Sequence, residues 1–172
     1  MTRICLSTVA TLAMLMCGTA CAATVTDDCK GLKNAVVIRT DFHRLALCKD
    51  DKVDQSYSVS IGRGGVGKQK EGDNRTPLGS YALGMPRAST DFVIFIPIGY
   101  PTAAQRQAGY TGGSVGIHGP KRGFGWLGGL LNFRDWTRGC IAVNRAEDIH
   151  DIAAWVNLNH PPIVEIRGTS AQ

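Results

Sequence analysis

Short β-branched and aliphatic runs, separated by turn-forming residues, set the pattern of the chain from residue 35 onward. Ala35-Val36-Val37-Ile38-Arg39-Thr40 is short and β-branched, which predicts a strand. Asp41-Phe42-His43 then turns the chain into Arg44-Leu45-Ala46-Leu47-Cys48-Lys49, whose alternation predicts a second strand. After a turn at Asp50-Asp51-Lys52, Gln55 to Ile61 places Tyr57, Val59 and Ile61 on one face. These three strands form a meander. Gly62 to Thr76 follows with five glycines and six charged residues, the pattern of a long exposed loop. Loops of that length in compact domains are usually functional or mobile. Further strands are expected at Gly79 to Leu83 and Phe92 to Ile96, a short helix over the sheet at Thr102 to Ala108, and a strand at Val115-Gly116-Ile117-His118.

One helix is strongly signalled. Asn144 is placed to cap it, and Glu147 three residues later would complete a capping box. Ile149, Ile152, Ala153 and Val156 then share one helical face. Pro161-Pro162 ends the helix, and Ile163-Val164-Glu165-Ile166 is the closing strand. The expected architecture is mainly β, a sandwich or barrel with one or two covering helices.

Composition narrows this picture. A chain of 172 residues, 44% hydrophobic and 19% charged, is an ordinary globular composition with room for one domain. Twenty-one glycines and seven prolines agree with a turn-rich β fold. The N-terminus is set apart: Arg3 supplies a positive start, Ile4 to Cys17 is apolar and uncharged, and Gly18-Thr19-Ala20-Cys21-Ala22-Ala23 offers small-residue cleavage sites. That is the pattern of a secretory signal peptide cleaved after Ala22 or Ala23, too short for a membrane span. Thr19-Ala20-Cys21 also admits a lipoprotein anchor at Cys21, although Gly18 stands where Leu is usual. The expected division is 1–22 signal peptide, 23–34 N-terminal segment and 35–168 folded domain.

Export changes how the cysteines read. Cys29, Cys48 and Cys140 remain in the mature chain. The economical arrangement pairs Cys29 with Cys48 and leaves Cys140 free, while the count alone also permits a bridge at Cys140. Net charge is +5, and +4 once Arg3 is lost. A basic balance suits an acidic polymer as well as plain solubility. No basic helix interleaved with aromatics points to nucleic acid, and no Cys/His spacing points to zinc. No cofactor is expected.

Two segments carry candidate chemistry. Ile117-His118-Gly119 ends a strand on a histidine beside a glycine. In Thr137-Arg138-Gly139-Cys140-Ile141-Ala142-Val143-Asn144, a cysteine follows a glycine and precedes an apolar strand. A thiol attacks an amide as its thiolate, and a nearby imidazole can take the proton. A glycine before the nucleophile lets backbone N–H groups approach a developing oxyanion. His43, in a turn, His150, on the helix, and His160, beside Pro161, read as structural or solvated.

Taken in order, His118, a variable gap rich in glycine and aromatics through Trp126 and Trp136, and Thr137-Arg138-Gly139-Cys140 resemble the YkuD-type L,D-transpeptidase catalytic domain. The upstream segment Lys70-Glu71-Gly72-Asp73-Asn74-Arg75-Thr76-Pro77-Leu78-Gly79-Ser80-Tyr81 and the pair Tyr100-Pro101 match the same family. The resemblance implies Cys140 as nucleophile, His118 as base, Gly139 and the N–H groups of Arg138 to Cys140 as oxyanion hole, and Gly119 as the group orienting the imidazole. Tyr100, Thr137, Trp136 and Arg75 become candidate substrate contacts, and Asp73 a candidate for shaping the site. One departure stands out: many members carry a second histidine where this chain has Arg138, which cannot act as a base but can hold a carboxylate.

The activity implied is transfer of a peptidoglycan tetrapeptide stem, with release of D-Ala, to an amine acceptor. The acceptor implied is a second stem, giving 3-3 cross-links, or a lysine of a lipoprotein. Water as acceptor would make a carboxypeptidase or cross-link hydrolase, and an inert Cys140 would leave a secreted wall-binding domain. The exported, diaminopimelate-directed reading points to the periplasm, and a monomer is expected. Papain-like enzymes place cysteine before histidine, the reverse of the order here, and the Thr-x-Thr-Cys segment of sortases is missing.

Overall fold

A computed structural model describes residues 28–123 and 134–169. The expected signal peptide, Cys21 and Trp126 lie outside the described residues. The strands are β1 (Asn34–Arg39), β2 (Arg44–Lys49), β3 (Lys52–Ser60), β4 (Gly79–Ala82), β5 (Arg87–Ser89), β6 (Val93–Pro97), β7 (Gly116–His118), β8 (Ile141–Val143) and β9 (Ile163–Arg167). Two helices join them, α1 (Ala103–Gln107) and α2 (Ala146–Asn159).

All nine strands belong to one sheet, in the order β4-β9-β1-β2-β3-β8-β7-β6-β5. Neighbours run antiparallel except β1 with β9 and β7 with β8, which are parallel. The sheet curls until the end of β4 meets the end of β6. There Gly84 N donates to Pro97 O at 2.8 Å and Gly99 N to Ala82 O at 2.9 Å, either side of a bridge between Leu83 and Ile98. The fold is the mainly β architecture expected, with few helices.

Period-two alternation explains why β1 and β2 are buried on both faces. Val36, Ile38, Leu45 and Leu47 point into the main core with Ile96, Ile117, Ile141 and Ile152. Ala35, Val37, Ala46 and Cys48 point the other way, into a second cluster with Cys29. A disulfide between Cys29 and Cys48, with Cα atoms 5.2 Å apart, covers that second face. It ties the segment before β1 to the sheet.

Helix α2 buries Ile149, Ile152, Ala153, Trp155 and Val156 against the sheet. Trp155 Nε1 donates to Asp54 Oδ2 at 2.6 Å, which fixes the helix to β3. The expected cap does not form. The helix starts at Ala146, so the extended residue before it is Arg145, whose side chain makes no cap hydrogen bond. A guanidinium has no acceptor to offer. Asn144 is buried as the continuation of β8, and Glu147 pairs with Arg145. Glu147 and Asp148 still place negative charge in the first turn, where the helix dipole favours it. His160 closes the helix in the left-handed conformation, its N–H donating to Val156 O at 2.9 Å.

The segment from Gly62 to Thr76 is a largely exposed loop, as expected, but three of its residues anchor it in the fold. Gly62, Lys68 and Thr76 are buried, and the chain folds back on itself through bonds from Gly64 N to Asn74 O and from Thr76 N to Gly65 O, both 2.9 Å. A bridge from Gly62 to Thr137 fastens it beside the stretch leading to Cys140. Glycine allows that: a side chain at Gly62 would collide with the Asn74 carbonyl. None of the helices among the described residues is long and apolar enough to cross a membrane.

Replacing Cys29 and Cys48 together by Ser opens a loop with a sequence separation of 19 residues. On chain entropy this is expected to cost about 3 kcal/mol of folding stability. Urea denaturation of the pair variant against wild type checks it, and an unchanged midpoint would show that the bridge constrains little.

Candidate active site

Strands β7 and β8 are adjacent, parallel and wholly buried. Their register pairs Ile117 with Ile141 and His118 with Ala142. Cys140 precedes β8, two residues before the partner of His118. Since side chains alternate along a strand, that even offset puts the cysteine and the histidine on the same face. Both line one cavity of about 800 Å³, within the range of small-ligand sites. Its walls also include Lys68, Phe92, Ser114, Lys121, Trp136 and Arg138.

His118 is held on every side. It is 1% exposed, with Phe92 stacked on its ring at 3.8 Å and Trp136 edge-on at 5.8 Å. Nδ1 lies 2.7 Å from the Gly119 carbonyl oxygen. A carbonyl only accepts, so in the neutral ring Nδ1 carries the proton and Nε2 keeps its lone pair. Burial holds the imidazole below the ordinary histidine range, only partly offset by the bond to Gly119. His118 is therefore neutral at pH 7.

Cys140 is free and half-buried, with its Sγ 3.5 Å from Ser114 O. Burial pushes its thiol upward, while a backbone hydrogen bond from Gly116 and the charge of Lys68 pull it down. At rest the pair is thiol and imidazole, not thiolate and imidazolium.

The approach to Cys140 is built on Gly139 and Thr137. Gly139 has φ +122°, and a Cβ there would sit 2.5 Å from the Arg75 carbonyl oxygen. Only glycine fits that turn. Thr137 is buried, its hydroxyl donating to Cys140 O at 2.7 Å and accepting from Gly139 N at 3.1 Å. Thr137 thus braces the turn. It also occupies the Gly139 N–H that was expected to face an oxyanion.

The structure separates the remaining sequence candidates. Trp136 and Arg138 line the cavity, and Gly119 holds His118. Tyr100 does not line it: the ring is buried in the core, and its hydroxyl reaches Lys68 O at 3.3 Å. Burial pushes that hydroxyl up to about 12, so it stays a neutral donor. Arg75 lines a separate, smaller cavity beside Thr40 and Asp41, and serves the site through its main chain, which backs Gly139. Asp73 binds Lys68 Nζ at 2.8 Å. His43, in the turn before β2, meets Asp135 at 3.1 Å, and Asp135 Oδ1 accepts from Ile61 N at 2.9 Å.

Sequence reasoning missed Phe92 and Lys68. Phe92 reads as one more strand residue, and a lysine in a glycine-rich loop carries no sign of burial. Among the described residues, no group of three or more His, Cys, Asp or Glu is placed to hold a metal ion.

Residues 33–166 match the model of the L,D-transpeptidase catalytic domain, the YkuD family. The chain belongs to this family. Among solved structures, the YkuD domain is similar to the helical cell shape determining protein Pgp2 from Campylobacter jejuni, at 25% identity and a TM-score of 0.64. The likeness covers 81% of this chain and 49% of Pgp2. Bd1075 of Bdellovibrio bacteriovorus shares the fold at 16% identity and a TM-score of 0.56, over 78% of this chain and 48% of that one. An L,D-transpeptidase from Mycobacterium tuberculosis H37Rv shares it at 16% identity and 0.51, over 78% and 57%. The chain thus spans about half the length of these proteins. No curated protein matches it significantly.

Two predictions follow from this YkuD site. Gly139→Ala forces an L-residue into a left-handed turn against a carbonyl, and strain of this kind costs roughly 1–3 kcal/mol. Its urea midpoint should fall, and wild-type stability in that variant would mean the turn can open. The second concerns pH. His118 has a depressed value when folded, so it contributes stability above its unfolded value of about 6.5 and loses it as pH falls. Between pH 7 and pH 5, wild-type stability should drop more than that of His118→Gln, and equal drops would mean the folded ring takes a proton as readily as the unfolded one.

Proposed function

We propose that this domain is a peptidoglycan L,D-transpeptidase that works through a Cys140 acyl-enzyme. The observation that carries the reading is the shared cavity: a half-buried thiol and a neutral imidazole of fixed tautomer face it from adjacent strands. As substrate binds, His118 Nε2 takes the Cys140 proton while sulfur attacks the carbonyl of the third stem residue. His118 then gives that proton to the departing amine of D-Ala, leaving a thioester. An acceptor amine resolves the thioester, returning its proton through His118 and forming the new amide.

The N–H groups of Arg138 and Cys140 are the proposed oxyanion donors, since Gly139 N–H is bound to Thr137. Arg138 and Lys121 face the cavity with Glu71 and Asp91. That mixture of signs suits a diaminopimelate centre bearing both an amine and a carboxylate. A disulfide at Cys29 and Cys48 supports an oxidising compartment, hence export to the periplasm by the N-terminal signal. Likeness to Pgp2 supports a part in wall remodelling that bears on cell shape.

Intact-mass spectrometry with a carbapenem tests the reading. One adduct per wild-type molecule is expected, none on Cys140→Ala, and acylation slower by about 10²–10⁴ on His118→Gln. Absence of an adduct on folded, reduced wild type would remove the acyl-transfer reading in favour of a wall-binding domain. Muropeptide products then separate amine from water as acceptor.

A further inference from the structure

Lys68 is a buried cation without a task in acyl transfer. It is 6% exposed, sits in the segment between β3 and β4, and lines the cavity that holds Cys140 and His118. Burying an ammonium is costly unless its surroundings hold it, and an apolar side chain would brace a loop as well or better. The fold nevertheless builds a cradle. Nζ donates to Lys70 O at 2.9 Å and to Asp73 Oδ1 at 2.8 Å, and it lies 6.0 Å from the centre of the Tyr100 ring.

Asp73 is itself fixed, accepting from the N–H groups of Gln69 and Lys70 at 2.9 Å and of Arg75 at 3.0 Å. Its burial alone would raise the carboxyl, but the bonds from Lys68 and these N–H groups outweigh that and hold it well below the usual carboxylate range. Asp73 is therefore a carboxylate at any pH where the enzyme would act. The lysine stem meanwhile runs beside the turn before the nucleophile, with Cδ 3.8 Å from where a Gly139 Cβ would stand.

We propose that Lys68 is a positioning residue that sets the electrostatic environment of Cys140, with Asp73 as the anchor that keeps the ammonium in place. This rests on the acyl-transfer reading of the same cavity. Besides Lys68, the charged or titratable groups facing that cavity are His118, Arg138, Lys121, Glu71 and Asp91. Arg138 and Lys121 are exposed, so water and salt screen them. Lys68 is out of water, so solvent screens its charge less, and Asp73 beside it offsets only part of that charge. Its effect on the thiol opposes the burial that pushes Cys140 upward. The ammonium thereby makes the proton easier for His118 to remove, without itself touching the reacting atoms.

The test is the pH dependence of Cys140 alkylation by iodoacetamide, a small neutral probe, followed by mass spectrometry of the Cys140 peptide. Lys68→Met should move the midpoint up by roughly half to one pH unit, and Lys68→Arg should keep it near wild type. Because Lys68→Met leaves Asp73 partly buried and unpaired, the double variant Lys68→Met/Asp73→Asn is measured beside it and should also shift upward. A brace without an electrostatic role would lower the melting temperature and leave the midpoint where it was. Wild-type midpoints in both Met variants overturn the role of Lys68 and leave the acyl-transfer reading standing. A wild-type thiol that alkylates only after unfolding overturns that reading, and this inference with it.

Discussion

Parallel pairing of β7 with β8 is the constraint on which the candidate site depends. Parallel neighbours need a long crossover, and the chain between His118 and Cys140 provides it. Once the strands are paired with Ile117 opposite Ile141, the even offset fixes which face both functional side chains share. Both strands are fully buried between β3 and β6, so neither can slip without moving core residues out of register. Geometry at the thiol is thus inherited from the core, not from the loop that carries it.

The folded-back segment from Gly62 to Thr76 provides the second half of the arrangement. It delivers three groups to the turn before Cys140: a bridge at Gly62 to Thr137, the Arg75 carbonyl behind Gly139, and the Lys68 stem alongside it. Each is a main-chain or stem contact, so the turn is packed before any substrate arrives. Gly139 is the point where these demands meet, since it alone can take both the left-handed φ and the carbonyl behind it.

How much of this was legible follows from the range of the interactions. β1 announces itself as a β-branched run and β2 by its alternation, both local signals, while the division of Val36 and Leu45 from Val37 and Ala46 onto opposite faces comes from the fold. Ile149, Ile152, Ala153 and Val156 declare α2 for the same reason. His118 and Cys140 were found through the motifs around them, which mark residue types in order and not contacts in space. Asn144 failed as a cap because the sheet draws it inward, a competition the capping pattern does not contain. The stacking of Phe92 on His118 was invisible because its partner lies far along the chain, and the burial of Lys68 because its nearby partners Lys70 and Asp73 do not reveal that the segment folds back over the site. Tyr100 and Arg75 were drawn toward substrate by the motifs they belong to. Their side chains serve the core and a separate cavity instead.

The electrostatics of the pair bear on where such a protein can work. Burial disfavours charge on both partners, lowering His118 and raising Cys140, so the two effects add in favour of the neutral pair. A standing thiolate would be the more reactive nucleophile but also the more readily oxidised one. In the oxidising compartment proposed here, a free thiol survives better if it stays protonated until a substrate is bound. Pairing Cys29 with Cys48 removes the two other thiols of the described chain from exchange with it. A neutral resting pair then needs help at the moment of proton transfer, when both partners become charged in a poorly solvated place. Under the proposed mechanism, Lys68, buried in the same cavity wall and anchored by Asp73, would favour the thiolate at that moment without requiring the cavity to reorganise.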